Sequence, residues 1–189
     1  ATFTPKANYQ WTDGTTAAKE ATWTIGRATV STLPSQSGSL TYTGSAQSPT
    51  WANYDTTKLT IGGATSGTNA GTYTATFTPT SNYQWDGGGI GPQSVNWSIG
   101  KAAGSLTLNR SSLTLNNATR TGTITVTRPG NGVVTASSNK TSIATVSVSG
   151  TTITVTAVAY GSATITVNVA EGTNHTAPSS KTCSVTVNL

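Results

Sequence analysis

At 189 residues the chain has room for one large or two small domains of the usual size, about 100 to 150 residues each. Its composition, 34% hydrophobic and only 8% charged, holds no run near the roughly 20 apolar residues of a membrane helix, and its wealth of β-branched and aromatic side chains excludes disorder. The net charge of +5 is spread thinly over Lys6, Lys19, Arg27, Lys58, Lys101, Arg110, Arg120, Arg128, Lys140 and Lys181; without a basic stripe, no nucleic-acid partner and no membrane insertion are expected.

In chain order, residues 1 to 28, ATFTPKANYQWTDGTTAAKEATWTIGRA, align without a gap on residues 75 to 102, ATFTPTSNYQWDGGGIGPQSVNWSIGKA. About half the positions are identical, and the offset of 74 is the length of one small sandwich domain. The repeat predicts three parts. Residues 1–28 are the C-terminal part of a preceding repeat, 29–102 a complete repeat, and 103–189 a different domain. Ordering the first part alone costs about 1 to 2 kcal/mol per residue in backbone entropy. Burial of Phe3, Tyr9, Trp11, Trp23 and Ile25 returns only about 1.5 to 3 kcal/mol apiece. The natural chain is therefore expected to continue N-terminally.

Within the complete repeat, Leu40-Thr-Tyr-Thr43 reads as an early strand ended by Gly44, and Leu59-Thr-Ile61 as a short middle strand closed by Gly62-Gly63. Tyr73, Ala75 and Phe77 alternate with Thr, as Val95, Trp97 and Ile99 alternate with Asn96 and Ser98; each trio is expected to face a core. Pro79 and Asp86-Gly-Gly-Gly89 punctuate the connection between these two strands. Asn69-Ala-Gly-Thr-Tyr73 has the spacing of a sandwich tyrosine corner, with Gly71 in its turn and Asn69, Gly71, Tyr73 and Trp97 as structural residues. Ala75 stands where antibody domains carry a disulfide cysteine, so packing must replace the bridge.

From Ala102 onward the strands become shorter and richer in Val and Ile. Ile124 and Val126, Val146 and Val148, Ile153 and Val155, Ile165 and Val167, and Val185 and Val187 alternate with Ser, Thr or Asn. Arg128-Pro-Gly-Asn-Gly132, Ser149-Gly150 and Tyr160-Gly161 mark turns. Seven or eight strands so spaced predict a β-sandwich, and no segment has helical period. The fold class expected for the whole chain is all-β, as tandem immunoglobulin-like β-sandwiches. Cys183, the only cysteine, shares a strand face with Val185 and Val187 and reads as a buried, inert side chain.

Chemistry-bearing residues do not cluster in the sequence. His175 is the only histidine, and Asp13, Glu20, Asp55, Asp86 and Glu171 are far apart, so no catalytic residues, no metal site and no cofactor are assigned. No Lys falls on an apolar strand face, which disfavours an isopeptide crosslink. The aromatic pairs Tyr83 and Trp85, and Tyr9 and Trp11, lie beside Asn and Gln. That mix suits either packing at a sandwich end or stacking on sugar rings. Five Asn-x-Ser/Thr triplets are what a chain roughly one third Ser and Thr produces by chance.

Two stretches resemble known families. Leu40-Thr-Tyr-Thr-Gly-Ser-Ala-Gln47, Asn69-Ala-Gly-Thr-Tyr73, Asn82-Tyr-Gln-Trp85 and Trp97-Ser-Ile-Gly-Lys-Ala102 make residues 40–102 similar to MBG-type bacterial Ig-like repeats. Ser137-Ser-Asn-Lys-Thr-Ser-Ile-Ala-Thr-Val146, Gly150-Thr-Thr-Ile-Thr-Val155 and Tyr160-Gly-Ser-Ala-Thr-Ile-Thr166 make residues 104–189 resemble group-two bacterial Ig-like domains. The resemblance implies a tandem array on a phage virion, in a tail or other exposed structural protein, or on a bacterial cell surface. No catalytic residue is shared by such domains. It implies a non-enzymatic extracellular spacer, stalk or decoration with weak adhesion, whose partners are neighbouring domains of the same longer chain and host-surface or mucus glycans. Two alternatives stand beside it: a carbohydrate-binding adhesin using the aromatic pairs, and an assembly element pairing through sheet edges.

Overall fold

A strand places successive side chains on opposite faces, so an apolar residue at every second position builds one buried face. The computed structural model describes residues 1–189 and contains strands without helices. β1 (Thr2–Phe3) and β2 (Lys19–Glu20) form an antiparallel pair by themselves.

The next part comprises β3 (Ala28–Val30), β4 (Ser35–Ser37), β5 (Leu40–Thr41), β6 (Thr50–Ala52), β7 (Leu59–Gly63), β8 (Gly71–Pro79), β9 (Tyr83–Trp85) and β10 (Gln93–Gly100). A four-stranded sheet runs β5-β10-β8-β7, and two further pairs, β3-β9 and β4-β6, complete this part. Its centre is the antiparallel ladder of β8 with β10, which puts Ala75 opposite Val95 and Tyr73 opposite Trp97. Leu59, Ala75, Phe77, Trp85, Trp97 and Ile99 form one buried cluster. The core here is aromatic because few residues reach it. Two or three large rings fill the space that many aliphatic side chains fill elsewhere.

The remaining strands are β11 (Thr107–Leu108), β12 (Ser112–Asn116), β13 (Thr121–Thr127), β14 (Val134–Ser138), β15 (Ala144–Ser149), β16 (Thr152–Ala157), β17 (Gly161–Val169) and β18 (Lys181–Asn188). They make two four-stranded sheets, β11-β13-β16-β15 and β12-β18-β17-β14. With the first strand split into β11 and β12, this is the immunoglobulin order: first, second, fifth and fourth strands against third, sixth and seventh. β12 joins the second sheet by running parallel to β18, Leu115 beside Val187. Seventeen residues, nearly all Val, Ile, Leu or Ala and including Cys183, form a core separate from the first. The chain is thus all-β, built as consecutive immunoglobulin-like sandwiches.

The structure departs from the sequence reading in three places. Val148 is exposed, near the end of β15, the edge strand of its sheet. The early strand stops at Thr41, where its pairing with β10 ends. The connection from β8 to β10 is no simple hairpin: Tyr83–Trp85 forms β9, which pairs in parallel with β3.

Candidate functional site

The aromatic pairs occupy two environments. Trp85 is buried in the core cluster and its indole Nε1 donates to Gly91 O at 2.8 Å, while Tyr83 is half-buried. The Trp85 ring is 4% exposed and packs with Phe77, Trp97 and their neighbours in the core cluster. Trp11 makes the matching bond to Ala17 O at 2.8 Å, and the Lys19 ammonium lies 5.3 Å from its ring centre. Tyr9 is exposed.

The segment Asn69 to Tyr73 closes on itself. The Tyr73 hydroxyl donates to Asn69 O at 2.7 Å, and its ring stacks on Trp97 at 4.6 Å and 20°. Trp97 Nε1 in turn donates to Ala64 O at 2.7 Å. Gly67 is required here by close approach, since a Cβ at that position would lie 2.3 Å from Tyr73 Cζ. Sequence reasoning did not single out Gly67; the only available signal was a lone glycine in a polar loop.

Asn69 also belongs to a second arrangement, formed with the loop between β17 and β18. Asn174 Nδ2 donates to Asn69 Oδ1 at 3.0 Å, and Asn174 Oδ1 accepts from Ala70 N at 2.8 Å. The backbone beside it grips the linker: Ala102 N donates to Asn174 O at 2.9 Å, and Thr176 N donates to Ala102 O at 2.9 Å. His175 meets the Tyr42 ring edge-on at 5.4 Å, and Lys101 pairs with Glu171 at 2.6 Å. In the sequence this loop offers only the lone His175 and one of the Asn-x-Ser/Thr triplets, at Asn174. Its bonds to Asn69 and Ala70 cross more than a hundred residues, a distance no local pattern reveals.

One repeat earlier the same connection is made. Ala28, which aligns with Ala102, donates its N–H to Asn82 O at 2.9 Å, and Arg27, aligned with Lys101, donates Nε to Ser81 O at 2.9 Å. Ala28 pairs in parallel with Tyr83 as Ala102 does with His175. In both cases the chain leaving one last strand is strapped to the loop before the final strand of the next sandwich.

The ionisable groups whose pKa is displaced lie away from the junctions. The Lys19 ammonium, with help from the Thr15 hydroxyl and amide, holds the Asp13 carboxyl below its usual range. The Thr57 hydroxyl, at 2.6 Å, does the same for Asp55. Burial pushes the Cys183 thiol up. No three of the His, Cys, Asp and Glu side chains lie close enough together to hold a metal ion.

No protein-family model matches the chain, and neither does any curated protein. Among solved structures, domains 4 and 5 of the S-layer protein SbsC share 21% identity, covering 75% of this chain and 83% of that one, with a TM-score of 0.41. The fibronectin(III)-like modules of Clostridium thermocellum CbhA share 12% identity over 81% of this chain and 90% of theirs, with a TM-score of 0.33. The D00-D0 domain of intimin shares 14%, over 80% and 99%, at 0.30.

Proposed function

We propose that this chain is a non-enzymatic spacer: a stiff run of immunoglobulin-like sandwiches that holds neighbouring domains of a longer extracellular chain away from a virion or bacterial surface. The observation that carries this reading is the junction made twice, at Ala28 and at Ala102, by the same strap onto the same loop of the following sandwich. Neighbouring domains normally move relative to one another unless their interface holds them. Here a side-chain amide bonded on both sides, a parallel bridge and an ion pair act across a linker of only a few residues. What supports a surface setting is the resemblance of residues 40–102 and 104–189 to bacterial Ig-like repeats, together with the exteriors rich in Ser and Thr and poor in charge.

Backbone ¹⁵N relaxation tests the reading. The sandwiches before and after Ala102 should share one rotational correlation time, and Asn174→Ala should split it into two shorter values while both cores keep their chemical shifts. Independent tumbling in the unaltered chain would sink the proposal.

A further inference from the structure

The first strand of the second sandwich changes sheets halfway, β11 pairing with β13 and β12 with β18. At the crossing a cavity of about 470 Å³ opens, lined by the buried Leu106, the half-buried Leu108 and the exposed Arg110, Ser111, Lys181 and Thr182. The crossing segment is pinned on both sides. Asn109 N donates to Thr125 O at 3.0 Å and Asn109 Oδ1 accepts from Thr125 N at 2.8 Å, while Ser184 N donates to Ser111 O at 2.9 Å. Arg110 stands between these anchors, so the protein itself fixes the backbone that carries it. The N–H groups of Arg110 and Ser111 donate to no backbone carbonyl.

Charge sets this place apart. Residues 103–189 carry five basic side chains, Arg110, Arg120, Arg128, Lys140 and Lys181, against one acid, Glu171, which is a net +4 of the chain's +5. Glu171 is taken by Lys101 at 2.6 Å, and the other ion pairs, Lys19 with Asp13 and Lys58 with Asp55, lie before Ala102. Arg110 and Lys181 therefore line one cavity with no carboxylate to balance either. Two like charges around one space repel; an anion between them removes the repulsion and gains charge-assisted hydrogen bonds. The Arg110 charge is also felt on β18: burial pushes the Cys183 thiol up, and the guanidinium opposes that rise.

We propose that this cavity binds the sulfate or carboxylate of an acidic sugar. Arg110 takes the oxyanion in its planar fork and Lys181 adds a point charge. The hydroxyls of Ser111 and Thr182 bond the sugar's own hydroxyls, and Leu106 and Leu108 back the apolar side of the ring, the mix of a few polar groups on an apolar wall that a small-ligand site requires. A bare inorganic ion would leave the hydroxyls and the leucines unused, and two cations without a stripe do not serve a nucleic-acid backbone. Both cations are exposed, so the attraction at each is modest and weakens with salt. The site shares no residue with the junctions at Ala28 and Ala102 that carry the spacer reading, nor with the aromatic pairs.

Amide ¹H–¹⁵N spectra of the full chain, titrated at constant ionic strength with galactose 6-sulfate and separately with glucuronate, test the assignment. Amides of Asn109 to Ser111 and of Lys181 and Thr182 should shift saturably with one or both, which names the oxyanion, and neutral galactose should leave them in place. Inorganic sulfate should bind at least ~3-fold more weakly than the better sugar, since it forgoes the hydroxyl bonds. Arg110→Gln and Lys181→Gln should each weaken binding roughly fivefold, as for the loss of one exposed charge pair. Arg120→Gln, which removes the same charge outside the cavity, should not. Unmoved core amides, such as those of Ile153 and Val167, verify that each variant is folded. No shift with either sugar, unweakened binding in the Arg110→Gln, Lys181→Gln double variant, equal weakening by Arg120→Gln, or inorganic sulfate binding as tightly as the sugar would each overturn the proposal.

Discussion

Asn69 is the residue on which two arrangements meet. Its carbonyl accepts the Tyr73 hydroxyl within one sandwich, and its side-chain oxygen accepts from Asn174 of the next. Removing only the hydroxyl, in Tyr73→Phe, should cost the first complete sandwich about 0.5 to 1.5 kcal/mol, the usual net value of one hydrogen bond. Gly67→Ala should cost more, about 1 to 3 kcal/mol, because the new methyl overlaps the ring that stacks on Trp97 and the ring has no free side to move to. Urea unfolding followed by tryptophan fluorescence measures both; a Gly67→Ala change smaller than that of Tyr73→Phe would refute this ordering. The Asn69-to-Tyr73 spacing was readable in sequence because its bond closes within four residues. The need for glycine at 67 was not, since it arises from a ring that comes back over the loop.

Among the elements, β12 shows what a single strand contributes. It leaves the sheet of β11 and pairs in parallel with β18, so that Leu115 is fully buried between the sheets. Leu115→Ala leaves a cavity that close-packed neighbours fill only in part, and should destabilise the second sandwich by about 2 to 5 kcal/mol. Far-UV circular dichroism should register this loss, while tryptophan fluorescence keeps its midpoint: Trp11, Trp23, Trp51, Trp85 and Trp97 all precede Ala102. A matching shift in fluorescence would mean the two cores are energetically one. The alternation that marks β13, β16, β17 and β18 was plain from their sequences. Short strands such as β4, β6 and β9 were not, because three residues carry too little pattern to outweigh their loops.

For the molecule as a whole, separate cores joined by a polar junction imply more than one unfolding step. The first complete sandwich rests on a small aromatic cluster and the second on a larger aliphatic one, so the first should unfold at lower denaturant. Fluorescence should then precede circular dichroism in a urea titration, and coincident transitions would contradict the division.

From its sequence alone this chain shows most of the side chains that face inward, that the strands form sandwiches, and that a 74-residue unit recurs. Those properties follow from the two-residue period of a strand and from direct repetition, both of which are local or self-evident in a linear text. Tertiary structure alone decided that Trp85 is enclosed, that Gly67 must lack a side chain, and that Asn174 reaches back to Asn69 and Ala70. Each of these depends on how separately folded surfaces come to rest against one another, a matter of shape in three dimensions that no pattern of neighbouring residues encodes.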